Sequence, residues 1–398
     1  MTAATTPPSA RVVASAPAPK VSATARVPLR FLPVPRRRHA SRLRAGHLVM
    51  LQVAALAVAA SLAGPPWVVA LTAAAALAML MIGFGRSHGR WWYENTAVRR
   101  RFRARRRAIR RALTMRTYRD PRLAVLAPSL TVREIELRGN RFGVGLDDTG
   151  WYAAFAVAPP SNAEAERRLI EAVDRLGQIL VETHAPVSAL QLVHHTVPVA
   201  TMMSAPGQWV WVAVRLDAAD ASAAAATRGG GVEGVHRALA AAVGRVQKSL
   251  RAAGLAYYRV LTADELAGAV AAVGGWGSGN RAVNSSPAER WTAWNGPDAA
   301  HVCFRLSGTP TYSLSHLVAG LSQCAVLSFT VSVLLHSGGT DELAVESLLH
   351  VAVGGRTVNG TVREVTGLAS RIGLQLTRLD GEHASAVYAT APTGSPIW

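Results

Sequence analysis

The chain has 398 residues, half of them apolar and 17% charged, a balance that excludes a disordered protein and leaves room for at least one sizeable core. Its formal net charge of +19 is confined to one end: residues 1–120 hold 22 of the 43 Lys and Arg against two acids, Glu94 and Asp120, while the remainder sums to −1. That distribution argues against a nucleic-acid-binding domain, whose excess charge would lie on the folded part, and the two cysteines, Cys303 and Cys324, lack the spacing of a disulfide scaffold or a zinc site.

Residues 1 to about 30 are mostly Ala, Pro, Ser, Thr and Val, broken by Pro7, Pro8, Pro17, Pro19 and Pro28. This composition predicts a disordered basic tail over 1–45. From Ala45 to Gly85 no Asp, Glu, Lys or Arg occurs in 41 residues. Since a membrane-crossing helix needs roughly 20 apolar residues, with about 17 as a lower limit, the stretch predicts a transmembrane hairpin over 46–85, with spans at about 47–63 and 67–84. Gly64-Pro65-Pro66 supplies the turn, Trp67 one interfacial aromatic, and Trp91, Trp92 and Tyr93 the others.

Two other readings of that stretch are weaker. Ser61-Leu62-Ala63 has the look of a signal-peptidase site, but the basic leader before it is far too long and a second apolar segment follows at once. A buried pair of soluble helices would show a polar outer face, whereas past His47 only Gln52, Ser61 and Thr72 interrupt the apolar surface. Arginines flank both outer ends of the hairpin and none lies in its turn, so the positive-inside rule predicts cytoplasmic N- and C-termini. Small residues at helical spacing, Ala54 with Ala57 and Ala73 with Ala76, predict faces suited to close helix packing.

The basic neck, residues 86–120, places nine arginines in thirteen positions: Arg99, Arg100, Arg101, Arg103, Arg105, Arg106, Arg107, Arg110 and Arg111. No Pro or Gly breaks this run, so the second span is expected to continue as a helix into the cytosol. Such a neck is suited to contact with an anionic membrane surface or with acidic segments of a partner protein. Nucleic acid is not an expected partner.

Beyond Asp120 the patterning turns to α/β, giving a cytosolic domain over 121–398. Strands are predicted at 130–137, 141–146 and 151–157, then a helix over 163–182 with Leu169, Val173, Leu176 and Leu180 in one stripe. Strands follow at 189–199 and 209–216, then a helix carrying Val235, Leu239, Val243, Val246 and Leu250, and a strand at 256–261. A second series runs from a strand at 301–306 through a helix over 313–322, strands around 327–333 and 343–353, a helix with Val358, Val362, Val365 and Ile372, and a last strand at 374–379. Taken from Trp151, the order strand, helix, strand, strand, helix, strand occurs twice, which allows two split βαβ halves, 121–275 and 280–398, joined through the Gly-rich stretch 274–279.

The residues that could carry chemistry are few. Gly229-Gly230-Gly231-Val232-Glu233-Gly234 satisfies G-x-G-x-x-G, but no strand leads directly into it, so a flexible surface loop is expected instead of a dinucleotide site. Asp147-Asp148 could hold a divalent cation, yet Asp-Asp-Thr-Gly between two extended runs is hairpin-turn chemistry. His194 and His195 lie in one predicted strand and point to opposite faces, so they cannot jointly bind one metal. No Walker A, H-E-x-x-H or G-x-S-x-G string occurs. These readings predict no catalytic, cofactor-binding or metal-binding residue.

The order of features resembles one family, the EccE membrane component of the type VII (ESX) secretion system. The resemblance rests on the basic head, the close-set apolar pair, and Gly89-Arg90-Trp91-Trp92-Tyr93-Glu94 running into the arginine neck. It continues through Gly143-Val144-Gly145-Leu146-Asp147-Asp148, the strand Trp209 to Asp217, Arg259 to Leu266, and Arg290-Trp291-Thr292-Ala293-Trp294 with 301–309. The Ala/Gly stretch 218–234 departs most from the pattern. The resemblance implies a structural subunit in the inner membrane, assembled with EccB, EccC and EccD components, of which EccC is the ATPase. It also implies a cytosolic fold likened to glycosyltransferases but lacking their catalytic residues. The alternative is a membrane-anchored glycosyltransferase-like enzyme at the cytoplasmic leaflet, which would need Asp147 and Asp148 to bind a metal.

Overall fold

The computed structural model describes residues 45–87, 90–114, 120–137, 139–160, 163–182, 187–198, 207–276, 287–297, 299–307, 310–337, 343–354 and 358–397. The tail expected over 1–45 lies outside these residues apart from Ala45. Two apolar helices come first, α1 (Ala45–Ser61) and α2 (Pro66–Phe84). The turn between them is closed by a bond from the Gly64 amide to the Ser61 carbonyl at 2.9 Å, and Pro66 sits at the first helical position, where its missing N–H costs nothing. The helices pack along Met50 and Ala54 on α1 and Ala76 and Gly83 on α2; a Cβ on Gly83 would come within 2.4 Å of the Met50 methyl. Among the described residues one helix, over Pro66–Gly83, is long and apolar enough to cross a membrane, and the apolar part of α1, Leu48–Ser61, is shorter than that.

The predicted continuation of the second span into the neck does not form. Gly85 leaves the helical region at φ −61°, ψ 132°, and the chain makes a minimal antiparallel ribbon, β1 (Arg86–Ser87) with β2 (Arg90–Trp91), before α3 (Trp92–Thr114) begins. A short helix, α4 (Pro121–Leu126), follows, its start capped by the Asp120 carboxylate accepting from the Arg122 amide at 2.9 Å.

The α/β part contains β3 (Thr131–Leu137), β4 (Asn140–Asp147), β5 (Gly150–Val157), α5 (Ala163–Glu182), β6 (Ala189–Val197), β7 (Gly207–Asp217), α6 (Ala218–Ala226), α7 (Gly231–Ala252), β8 (Tyr257–Val260) and α8 (Ala263–Val273). It continues with β9 (Ala288–Glu289), β10 (Trp294–Asn295), β11 (Ala300–Ser307), α9 (Pro310–Leu321), β12 (Ser328–Ser337), β13 (Leu343–Val353), α10 (Val358–Arg371), β14 (Gln375–Arg378) and α11 (His383–Thr390). Of the stretch 229–234, expected as a surface loop, Gly229 and Gly230 lie in the turn after α6 while 231–234 open α7: Gly229, Gly230 and Gly231 turn the chain at positive φ, and Gly234 lies against α6, where a Cβ would be 2.7 Å from the Ala225 carbonyl.

Twelve strands form one sheet in the order β3-β4-β5-β7-β6-β12-β13-β11-β10-β9, with β8 added on β5 and β14 on β11, and every pairing is antiparallel. Within it β8-β5-β7-β6 and β14-β11-β13-β12 share one connection order, and the two sets meet where β6 pairs β12, Val193 opposite Ser332. Each set is a split βαβ pair, with its antiparallel third strand inserted between the two strands that a helix connects.

The two faces of this sheet differ in chemistry. Alternation along the strands sends Phe155, Leu190, Val212, Val214, Phe329, Val331 and Leu349 to one face, where they pack under α5, α7, α9 and α10. The opposite face receives Gln191, His195, Arg215, His301, Thr330, Ser332 and His350, all buried. α4, α8 and α11 cover that second face, together with the segment 391–395 that follows α11.

Candidate functional site

The neck helix is fixed to the α/β part by one narrow stripe. Val98, Phe102, Arg105 and Ile109, spaced at i, i+4, i+7 and i+11, face inward, and the rest of the arginines from Arg99 to Arg111 are exposed. Phe102 meets Trp291 edge-on with ring centroids 5.6 Å apart, and the Arg99 guanidinium lies 5.8 Å from the Trp291 ring centre. Arg105 leaves the basic set altogether. Its Nη2 donates to Glu289 Oε1 at 3.0 Å and to the Gly381 carbonyl at 2.5 Å, and Nε donates to Glu289 Oε2 at 3.3 Å. The Glu289 side chain is fully buried and also accepts from the Ala384 amide at 3.1 Å, at the start of α11. One buried carboxylate therefore ties the neck to the helix that closes the polar face.

A second junction centres on Asp147 and Arg215. Asp147 Oδ1 accepts from the Thr149 and Gly150 amides at 2.9 and 3.1 Å and from the Thr149 hydroxyl at 2.8 Å, an Asx turn that shapes the β4–β5 hairpin. Both its oxygens also receive the Arg215 guanidinium, Nη2 to Oδ1 at 2.5 Å and Nη1 to Oδ2 at 3.1 Å, while Tyr388 and Ser395 donate hydroxyls to Oδ2. Arg215 donates further to the Thr149 hydroxyl, Asp217, the Thr393 carbonyl and Ser395. Burial alone would raise the Asp147 pKa, but the hydrogen bonds and charge of Arg215, with Thr149 and Tyr388, outweigh it and hold the carboxyl below its ordinary value. With both oxygens engaged, Asp147 has no lone pair directed at a metal, and among the described residues no group of three or more His, Cys, Asp or Glu could hold one.

The histidines do converge, which their spacing in sequence did not show. His301 Nδ1 and His350 Nε2 lie 2.7 Å apart, Thr390 reaches the other nitrogen of His350 at 3.4 Å, and His195 Nδ1 pairs with the Thr330 hydroxyl at 2.8 Å. His194, on the opposite face of β6, is half-buried. Burial pushes His195 down to about 4 and His301 to about 3, so these rings are neutral at physiological pH. His301 Nε2 has no hydrogen-bond partner and abuts Gly275 and Gly296, where added Cβ atoms would lie 2.3 and 2.8 Å from it. His383 accepts from the Cys303 amide through Nδ1 at 3.2 Å, which occupies the nitrogen a catalytic dyad with Asp380 would need free. A cleft of about 420 Å³ opens between α3, the residues 126–129, the β4–β5 turn and α11, with Arg105, Asp148, Ser385 and Tyr388 on its walls.

The predicted helix-packing residues divide. Ala54 is buried between α1 and α2 and Ala76 is half-buried there, whereas Ala57 and Ala73 face outward. Sequence reasoning missed Arg215, Glu289, Gln191 and Tyr388. A lone arginine inside the apolar run Trp209 to Leu216 was the available sign of a buried ion pair.

Fold and site together define an α/β protein that follows an apolar helical segment and whose interior polar groups bond to one another. Within that class, residues 206–306, from the start of β7 through most of β11, match the family model "EccE: Putative type VII ESX secretion system translocon, EccE", so this segment of the chain is similar to that family. No curated protein matches it. The glycosyltransferase alternative has no support: of the two aspartates it needs on a metal, Asp147 and Asp148, the first is a partner of Arg215.

Proposed function

We propose that this protein is a non-enzymatic structural subunit of a type VII (ESX) secretion complex in the inner membrane, supporting protein export. The reading rests above all on the match of residues 206–306 to the EccE translocon family. In it α1 and α2 insert as a two-span hairpin with both termini cytoplasmic, and 121–398 form the cytosolic domain. The exposed apolar side chains of Leu48, Leu56, Trp67, Leu71, Leu77 and Ile82 suit a lipid or helix environment. The expected partners are subunits of the EccB, EccC and EccD type, and the near-neutral α/β part would pack against their cytosolic portions.

A tag on the N-terminal segment avoids residues 384–395, all of which are buried. Membranes carrying the tagged chain are solubilised in mild detergent, and the purified protein is run on a native gel with mass spectrometry of the bands. Migration in a very large complex with an ATPase and other multi-span proteins is the expected result. A small species without membrane partners would overturn the assignment.

A further inference from the structure

The surface that stands out is the outward side of α3. Its inward stripe, Val98, Phe102, Arg105 and Ile109, is held by Trp291 and Glu289, so the helix cannot rotate about its axis without breaking a buried ion pair. At 100° per residue, all the neck arginines except Arg105 and Arg101 then fall within one arc of about 140° to the side of and behind the stripe, with Arg99 and Arg106 at its near edge, over the rings of Trp291 and Phe102. From Arg99 to Arg111 this arc runs about 18 Å along the helix. Arg99 with Arg103, Arg103 with Arg107, Arg106 with Arg110 and Arg107 with Arg111 are like-charged i,i+4 pairs, each mildly destabilising to the helix, and Glu94 is the one acidic residue on it. A fold that anchors such a helix and turns these four repulsive pairs outward presents a rigid cationic face whose repulsion an opposing layer of negative charge relieves.

We infer that this face binds the phosphate headgroups of anionic lipids in the leaflet from which α2 emerges, setting the attitude of the α/β part to the membrane. Two observations select lipid over other polyanions. α3 starts eight residues after α2 ends and touches it, so the first arginines lie beside the exit point of the apolar helix. The arc is broad and continuous, matching a planar charged surface better than a single acidic peptide strand. This inference rests on α2 crossing the membrane, as proposed above.

The test uses the full chain in nanodiscs of phosphatidylcholine, alone or with about a third phosphatidylglycerol, treated with phenylglyoxal and read residue by residue by mass spectrometry. Incorporation into the neutral discs reports on the membrane-crossing reading by itself, and failure to incorporate would overturn that reading and this inference together. Given incorporation, modification of Arg103, Arg107 and Arg110 is expected to slow at least five-fold in the anionic discs and to recover at about 0.5 M salt, where the Debye length falls to a few ångströms. Arg245, exposed on α7, is the control and should react equally in both. Equal rates at the neck arginines in the two lipids would overturn the inference. So would protection that appears only on adding a short DNA duplex to neutral discs, which would reassign the face to polynucleotide.

Discussion

Arg215 and Asp147 form a bidentate ion pair with both side chains out of water, 0% and 1% exposed, bringing the end of β4 against the middle of the polar sheet face. Removing one partner strands the other charge. Arg215→Ala or Asp147→Ala is expected to cost about 3–5 kcal/mol, while Asp148→Ala, at an exposed position, should stay within about 0.5 kcal/mol. Thermal unfolding of the detergent-solubilised protein measures all three. Equal effects at Asp147 and Asp148 would contradict the division of roles.

Acidification should destabilise the protein well before its carboxylates titrate. His195 and His301 are neutral in the fold, with pKa values of about 4 and about 3, and regain an ordinary value of 6.5 when unfolded. Between those limits the unfolded chain binds the extra protons, so stability is full above pH 6.5 and falls by about 1.4 kcal/mol per pH unit for each ring as pH drops. The Asp147 contribution persists to lower pH, because its folded pKa lies beneath that of an ordinary aspartate. Melting temperatures between pH 7.5 and 5 read the slope, and His195→Gln should flatten it by one ring's share.

The neck arginines should not behave alike. Arg105→Ala leaves the buried Glu289 carboxylate with the Ala384 amide alone and is expected to cost about 3 kcal/mol. Arg107→Ala, outside the docked stripe, should change stability by less than about 0.5 kcal/mol. Limited proteolysis between α3 and α4 gives a second readout, since loss of the Arg105 latch should speed cleavage there and loss of Arg107 should not.

Glycines in the β4 strand are held by close approach. A Cβ on Gly143 would lie 2.5 Å from the Thr262 carbonyl oxygen, and one on Gly145 would lie 2.2 Å from the Tyr152 ring. The Gly143 amide also donates to the Leu261 carbonyl at 2.8 Å, so backbone meets backbone with no side chain able to yield. Gly143→Ala is expected to destabilise by about 1–3 kcal/mol, with Gly139→Ser, at a position open to solvent but at φ +76°, costing less.

In the apolar pair, Ala54 and Ala57 should separate by role. Ala54→Phe intrudes between α1 and α2 and should disturb the hairpin itself, whereas Ala57→Phe should insert normally and weaken recovery of the larger complex. Carbonate extraction and native-gel yield distinguish the two. Unchanged recovery with Ala57→Phe would remove that face as a partner surface.

Much of the fold was legible from periodicity. The helices at 163–182 and around Val235 to Leu250, and the strands at 343–353 and 151–157, fall where apolar residues recur at 3.6 or 2. The helix α8 went unread although Thr262 and Glu265 carry a full capping box, because its apolar positions are short and alanine-rich. α11 was missed for a different reason: it is buried all round, so it has no polar face to reveal a period.

By itself the sequence determined where the charge lies, where the apolar helices lie, and the repeated strand–helix order, because each depends on composition or on neighbours a few residues apart. Only the tertiary structure decided where the polar side chains scattered along β6, β7, β12 and β13 end up. Gln191, His195, Arg215, Thr330, Ser332 and His350 come from four separate strands, and residues 383–395 cover them, Gln191 holding the Ala389 carbonyl and the Thr393 and Gly394 amides. The physical reason is that burial of a polar side chain depends on a partner some 200 residues away in the chain, and no local pattern carries that distance. The same holds for Arg105, which differs from its eight neighbouring arginines only in the carboxylate that the fold brings to it.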